Sequence, residues 1–156
     1  MNDVDPPQAG PSLVAPDMAL AQAEALLEAL KRSAAAAQVR LAGAVVDRGG
    51  NPVASLRMDR AQLGAPALAQ DKAYTAAAFG FPTSAWAESS GPGGSDWGLA
   101  ATLGGRAVVF PGGVPVFCNG SLIGGFGVSG AASTVDQGCA EQAVTAVGLS
   151  FVLPPS

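Results

Sequence analysis

Two apolar runs flank Asn119-Gly120 and predict a β-hairpin in the C-terminal half of the chain. Both central residues of a type I′ turn need positive φ angles, which asparagine and glycine tolerate. Residues 114–118 and 121–129 are therefore predicted to be adjacent antiparallel strands. Glycines at positions 124, 125 and 127 interrupt the second strand, and glycine suits a strand where another group must approach the backbone. A ligand or another subunit is the expected neighbour.

Helical periodicity marks three other segments. Apolar side chains recur at three- and four-residue spacing between residues 18 and 38, with charges on the other faces, and Asp17 is a suitable N-cap. Alanine-rich residues 65–79 predict a second helix, with Pro66 in its first turn. The spacing returns over residues 134–149. These three helices separate the remaining strand-like runs.

A second hairpin is predicted from apolar residues 39–46 and 52–58, which are joined by a turn cluster. A short helical turn over residues 83–88 precedes the glycine-rich loop 89–98. Hairpins joined by helices, without regular strand-helix alternation, favour an α+β fold with an antiparallel sheet. The length fits a single domain over residues 17–153. Proline-rich residues 1–16 are expected to be a disordered or loosely docked tail.

The amino-acid composition limits the expected binding partners and the expected cellular compartment. Charged residues make up only 13% of the chain, so we expect homo-oligomerisation to cover part of the surface. A net charge of −4 and no basic stripe argue against nucleic-acid binding. Neither a secretory signal nor an apolar run of membrane-spanning length is present. The sequence thus predicts a cytoplasmic protein that does not bind membranes.

The absence of histidine restricts the chemistry most. It removes the usual acid–base group near neutral pH, a Ser-His triad and imidazole metal ligands. Two cysteines, Cys118 and Cys139, are too few for a closed zinc site, and reduced thiols are the default in the cytoplasm. No metal site is predicted, and catalysis would rely on other polar side chains or on backbone dipoles.

Charged side chains supply the first set of candidate site residues. Arg57 and Asp59 follow the second predicted strand, where the guanidinium could anchor an acidic ligand and the carboxylate orient it. The alternative is an ion-pair cluster that fixes the corner between strand and helix. Lys72 is a candidate base or Schiff-base nucleophile if it is desolvated, or else the partner of a nearby acid.

Backbone and aromatic groups supply the second set. Gly112, Gly113 and Val114, followed by Pro115, can present consecutive N–H groups to a carboxylate or phosphate. Flat aromatic walls suit planar ligands, and Trp97 could equally fill a subunit contact. The aromatic candidates are Tyr74, Trp86 and Trp97.

Several of these segments together resemble the GlcG/HbpS-like family of haem-binding and haem-degrading proteins, which includes the C-terminal domain of PduO-type corrinoid adenosyltransferases. The matching segments are VVDRGGNPVASLRMDRA at 45–61, ALAQDKAYTAAAF at 67–79, and FPGGVPV, SLIGGFGVSG and the helix of Asp136 within 110–143. The resemblance implies a profilin-like or PAS-like α-β-α fold with a five-stranded antiparallel sheet, assembled into homo-oligomers. Given this resemblance, the glycines of the second hairpin strand are expected to serve packing and assembly and not to form a nucleotide-binding loop.

The sequence departs from this family where haem is concerned. A haem ligand would have to come from threonine, cysteine, methionine or water, because no histidine can supply it. Arg60 stands where the family commonly has glycine after Met-Asp. The added guanidinium favours an anionic ligand if the strand-to-helix corner at Arg57 and Asp59 opens onto the ligand pocket.

Two functions follow as alternatives. The first is a small-molecule-binding protein whose ligand is haem or a small anionic metabolite, with the cofactor otherwise unknown. The second is a cofactor-independent lyase, hydratase or isomerase acting on a small carboxylate or enol-like metabolite, in which Arg57 or Arg106 holds the anion. The candidate proton carriers in that enzyme are Lys72, Asp59 and Glu88.

Overall fold

Four antiparallel strands in the order β2-β1-β4-β3 form the centre of the protein, in a computed structural model that describes residues 8–153 and 155. The strands are Ala42–Asp47 (β1), Pro52–Arg57 (β2), Gly113–Cys118 (β3) and Ser121–Ser129 (β4). Of the tail predicted at residues 1–16, the first seven residues lie outside the described part. Residues 8–19 precede the first helix without regular structure.

Three helices cover both faces of the sheet, which confirms the α+β class. Helices α1 (Leu20–Ala37) and α3 (Ser133–Ala146) pack on one face around the larger apolar core. Helix α2 (Ala65–Phe79) covers the other face, where most of the buried side chains are alanines. No helix in the described residues is long and apolar enough to cross a membrane. The molecule is therefore a three-layer α-β-α arrangement.

The five-stranded sheet implied by the family resemblance is wrong, because the described residues form a sheet of four strands. Residues 107–110, which precede β3, do not join the ladder. Thr75 of α2 accepts the N–H of Val108 at 3.0 Å, and its hydroxyl lies 3.1 Å from the Arg106 carbonyl oxygen. Hydrogen bonds to α2 thus take the place of strand pairing. On the outer side of β3, an isolated bridge pairs Phe117 with Ser150.

Local signals predicted some elements correctly and others with shifted ends. The helix at residues 65–79 and the type I′ turn are confirmed, since Asn119 and Gly120 have φ angles of +49° and +79°. Helix α1 begins at Leu20 with Ala19 as its N-cap, so the predicted start at residue 18 and the predicted N-cap at Asp17 are wrong. The Asp17 carboxylate accepts the N–H groups of Met18 and Arg48, both at 2.9 Å, and so ties the chain to the β1–β2 turn.

The glycines of β4 allow α2 to approach the sheet closely. A Cβ atom on Gly125 would collide with the carbonyl oxygen of Ala73, and one on Gly127 with that of Ala69. Close helix–sheet contact of this kind requires glycine on one side and small residues on the other. The neighbour of these glycines is thus the protein's own helix α2.

Candidate functional site

Arg106 is a partly exposed arginine held in place from two directions. Its guanidinium carbon lies 3.7 Å from the centroid of the Tyr74 ring. Its Nε donates to the Asp71 carboxylate at 3.2 Å, with the two side chains 41% and 34% exposed. Among residues 8–153, neither Nη atom of Arg106 has a hydrogen-bond acceptor. The cation is thus positioned with two donor groups available for an anion.

Local packing explains why Arg106 and Tyr74 meet. Thr75 binds the backbone of residues 106 and 108, which carries Arg106 onto the surface of α2. The Tyr74 ring packs against Gly50, where an added Cβ would lie 2.6 Å from its Cδ2 atom and where φ is +78°. Only glycine suits that conformation and that space. The β1–β2 turn therefore supports the ring on which the arginine stacks.

The segment between α2 and β3 carries several aromatic side chains that are exposed or partly exposed. Trp86 packs edge-on against Phe79 and Phe81, with ring centroids 5.1 and 6.0 Å apart. A cavity of about 230 Å³ opens beside Trp86 and is lined by Phe81, Ala85, Trp86 and Ser89. Trp97 and Phe110 are 68% and 40% exposed. The connection from α2 to β3 therefore exposes aromatic rings and borders a small cavity.

A buried ion pair lies beneath this segment. Lys72 on α2 donates to the Asp136 carboxylate at 3.1 Å and to the Val128 carbonyl oxygen at 2.9 Å. Both side chains are at most 2% exposed, and the Phe110 ring centroid lies 5.3 Å from the ammonium nitrogen. Burial lowers the pKa of Lys72, and the Asp136 charge and hydrogen bond oppose that shift. The pair joins α2, β4 and α3.

The predicted Gly112–Pro115 nest lies beside this pair, with its donors engaged. The N–H of Gly112 donates to the Gln137 side-chain oxygen at 2.8 Å, and that of Gly113 to the Thr83 hydroxyl at 3.0 Å. Val114 and Pro115 belong to β3. Gly112 has a φ of +131°, and a Cβ there would collide with the Lys72 ammonium group. The turn thus fits around the lysine.

The structure separates the other candidates from this region. Arg57 and Asp59 help to line a groove of about 490 Å³ against α1, at one end of the sheet. Glu88 is exposed, just beyond the short 3₁₀ helix Thr83–Trp86. No hydrogen bond or ion pair in the described residues joins Lys72, Asp59 and Glu88. The three predicted proton carriers therefore stand in different parts of the fold.

The sulfur atoms that could replace histidine at a haem iron lie elsewhere. Cys139 is 3% exposed, and burial together with the Asp136 charge raises the pKa of its thiol. Met58 Sδ accepts the N–H of Leu41 at 3.4 Å, and Cys118 is half-buried at the end of β3. No set of three acidic or cysteine side chains in the described residues could hold a metal ion.

Two contributing acids were absent from the sequence-based candidates. Asp71 precedes Tyr74 by three residues, so helical spacing alone places both on one face of α2. Asp136 offers a weaker signal, since its partner Lys72 is distant in sequence and an acid in the first turn of a helix is common. Only the packing of α2 and α3 around the end of β4 brings that pair together.

Sequence comparison places residues 18–145 in the family described as haem degrading protein HbpS-like. The chain belongs to the HbpS-like family. It is 38% identical over 125 residues to an uncharacterised 15.0 kDa protein from the dhaT–dhaS intergenic region of Citrobacter freundii, covering 80% of this chain and 88% of that one.

Two solved structures of HbpS-like relatives share the fold. The Klebsiella pneumoniae protein ORFY superposes with a TM-score of 0.87 at 32% identity, covering 91% of this chain and 98% of that one. The PduOC:haem complex superposes with a TM-score of 0.82 at 31% identity, covering 86% and 98% of the two chains. The family resemblance drawn from the sequence, including its PduO branch, is confirmed.

Proposed function

We propose that this protein binds a planar, largely apolar small molecule that carries carboxylate groups, and that haem is the first such ligand to test. The observation that carries the proposal is Arg106. Tyr74 and Asp71 fix its guanidinium, and both Nη atoms lack an acceptor among the described residues. A fixed guanidinium binds a carboxylate with less loss of side-chain entropy than a free one.

The aromatic surface supports a planar ligand. Phe81 and Phe110 bound the segment that carries Arg106 and are 50% and 40% exposed. Trp86 adds an apolar cavity whose lining is mainly aromatic and aliphatic. Apolar walls with a few placed polar groups are the usual design of small-molecule sites. The haem complex of the structural relative PduOC supports haem as the first probe.

Haem fits this surface in part. The apolar surface suits a porphyrin face, and Arg106 suits its carboxylates. The donor set does not suit an iron–protein bond. The chain has no histidine, the pKa of the buried Cys139 thiol is raised, and Met58 Sδ accepts a backbone hydrogen bond on the opposite side of the sheet from α2. We therefore propose that its face and its carboxylates, and not a bond from histidine, Cys139 or Met58 to iron, hold the ligand.

Titration with haemin tests the proposal. Binding is followed by quenching of the fluorescence of the two tryptophans and by haemin absorbance. We expect saturable binding that weakens about tenfold or more in Arg106→Gln, since losing a charged hydrogen-bond pair costs about 1.5–3 kcal/mol. Arg32→Gln on the outer surface of α1 is the matched control and retains wild-type affinity. Equal affinity in both variants would refute the role of Arg106.

A further inference from the structure

Most of the basic residues of this acidic chain gather at one end of the sheet. The net charge is −4, and five of the eight basic residues lie near the last turns of α1 and the end of β2. They are dispersed in the sequence, which hides the cluster: Lys31, Arg32, Arg40, Arg57 and Arg60.

Strand pairing accounts for much of the cluster. Ala42 of β1 is paired with Arg57 of β2, and the N–H of Met58 donates to the Leu41 carbonyl oxygen at 3.0 Å. The backbone before β1 therefore runs beside the backbone after β2. This arrangement carries Arg40 alongside the segment that ends at Arg60.

The four arginines of this cluster have no carboxylate partner. Within residues 8–153, the ion pairs are Lys31–Glu28, Lys72–Asp136 and Arg106–Asp71. The chain has twelve acidic residues, yet none of those in the described part pairs with these arginines. Uncompensated like charges repel one another, and a bound anion would relieve that repulsion.

A groove within the cluster has room for a ligand. Its volume is about 490 Å³, which lies within the usual range for small-molecule sites. Lys31 and Ala35 of α1 form one wall, and Arg57 and Met58 form the other. Asp59 is the one acid that lines it. Two cations, Lys31 and Arg57, thus line the groove beside the apolar side chains of Ala35, Val39 and Met58, and such a lining suits a small organic anion.

The backbone of Arg60 adds an independent observation. Its φ is +64°, in the left-handed region that non-glycine residues adopt infrequently. Unfavourable backbone geometry clusters at functional sites, where a side chain is retained despite its conformational cost. Here that side chain is the guanidinium of Arg60, the fourth arginine at the end of the sheet where the groove lies.

We propose that this groove binds a small anion carrying two or more carboxylate or phosphate groups, at a site separate from Arg106. Isothermal titration with citrate and with inorganic pyrophosphate, each in low-salt buffer, tests it and distinguishes the two anion chemistries. We expect saturable binding of at least one probe, weakened about fivefold or more by Arg57→Gln and by Lys31→Gln, the two cations that line the groove. Arg60→Gly should weaken the same binding while leaving the melting temperature unchanged or higher.

Two control variants test whether the anion binds in this groove. Arg48→Gln removes an exposed arginine at the opposite end of the β1–β2 hairpin and should leave anion binding unchanged. Arg106→Gln should also leave binding of citrate and pyrophosphate unchanged. The groove proposal and the haemin proposal can therefore fail independently of each other. The proposal is overturned if neither probe saturates, if Arg48→Gln weakens binding as much as Arg57→Gln, or if a DNA duplex binds more tightly than both probes.

Discussion

Arg106 shows how a single surface side chain becomes a recognition group. The sequence predicted both Tyr74 and Arg106 as ligand-binding residues, since their types suit planar and anionic ligands. It did not predict that they touch, because a long loop separates them and contacts of tertiary structure, among them the Thr75 hydrogen bonds and the Asp71 carboxylate, bring them together. The stacked pair is a contact of tertiary structure. Its value for binding therefore depends on the ring being present.

The role of the ring can be isolated by substitution at Tyr74. We expect Tyr74→Leu to weaken haemin binding about fivefold, because an exposed cation–π contact is worth about 0.5–1 kcal/mol and the guanidinium becomes mobile. Tyr74→Phe keeps the aromatic face and should retain wild-type affinity. Fluorescence titration measures both. A loss of affinity in the phenylalanine variant would show that the hydroxyl, and not the ring, matters.

At the scale of elements, local patterns were the reliable predictors. The type I′ turn and helix α2 depend on nearby residues, and both were predicted correctly. The strand count implied by the family resemblance was wrong: residues 107–110 pair with no strand, and the N–H of Val108 donates to Thr75 of α2 instead. The partner of the β4 glycines also required the tertiary structure, since sequence alone could not distinguish a ligand, a subunit and a helix.

The contact between α2 and β4 predicts a strong glycine requirement. In Gly127→Ala the new Cβ meets the Ala69 carbonyl oxygen, so the helix must move away and we expect a loss of about 3 kcal/mol or more. Gly138→Ala on α3 is the control, because its Cβ would meet nothing within 4 Å and alanine favours a helix by up to about 1 kcal/mol. Urea unfolding measures both. Equal stability of the two variants would contradict the close approach.

The pair of Lys72 and Asp136 predicts a second effect on stability. Lys72→Met leaves a buried carboxylate without its cation and should cost about 3–5 kcal/mol at neutral pH. Asp136→Asn should be similarly costly, and the double variant should lose less than the sum of the two. Chemical denaturation of the wild type, both single variants and the double variant measures this double-mutant cycle. Simple additivity would show that the pair does not act as a unit.

The pH dependence of the same pair has a definite sign. Because burial lowers the pKa of Lys72 below its ordinary value of 10.5, the folded protein releases this proton at a lower pH than the unfolded chain. The contribution of Lys72 to the free energy of unfolding therefore rises with pH between the lowered pKa and 10.5. The difference in the free energy of unfolding between the wild type and Lys72→Met should rise with pH over this window. A fall over the same window would contradict the prediction.

The whole molecule combines a sparsely charged surface with exposed apolar side chains. Charged residues make up 13% of the chain, while Leu63 and Trp97 are 88% and 68% exposed. Such a surface favours association, so we expect a homodimer or a larger homo-oligomer. Light scattering at micromolar concentration should give a mass at least twice that of one chain. The mass of a single chain would contradict this expectation.

The most direct test compares haemin with metal-free protoporphyrin on the wild-type protein. The two ligands share the planar ring and both carboxylates and differ in the metal. If the face and the carboxylates are the groups bound, tryptophan quenching should give dissociation constants that agree within about threefold. Binding of haemin more than about tenfold tighter than that of the metal-free ring would show an iron–protein bond and contradict the account, as would the absence of saturable binding by both.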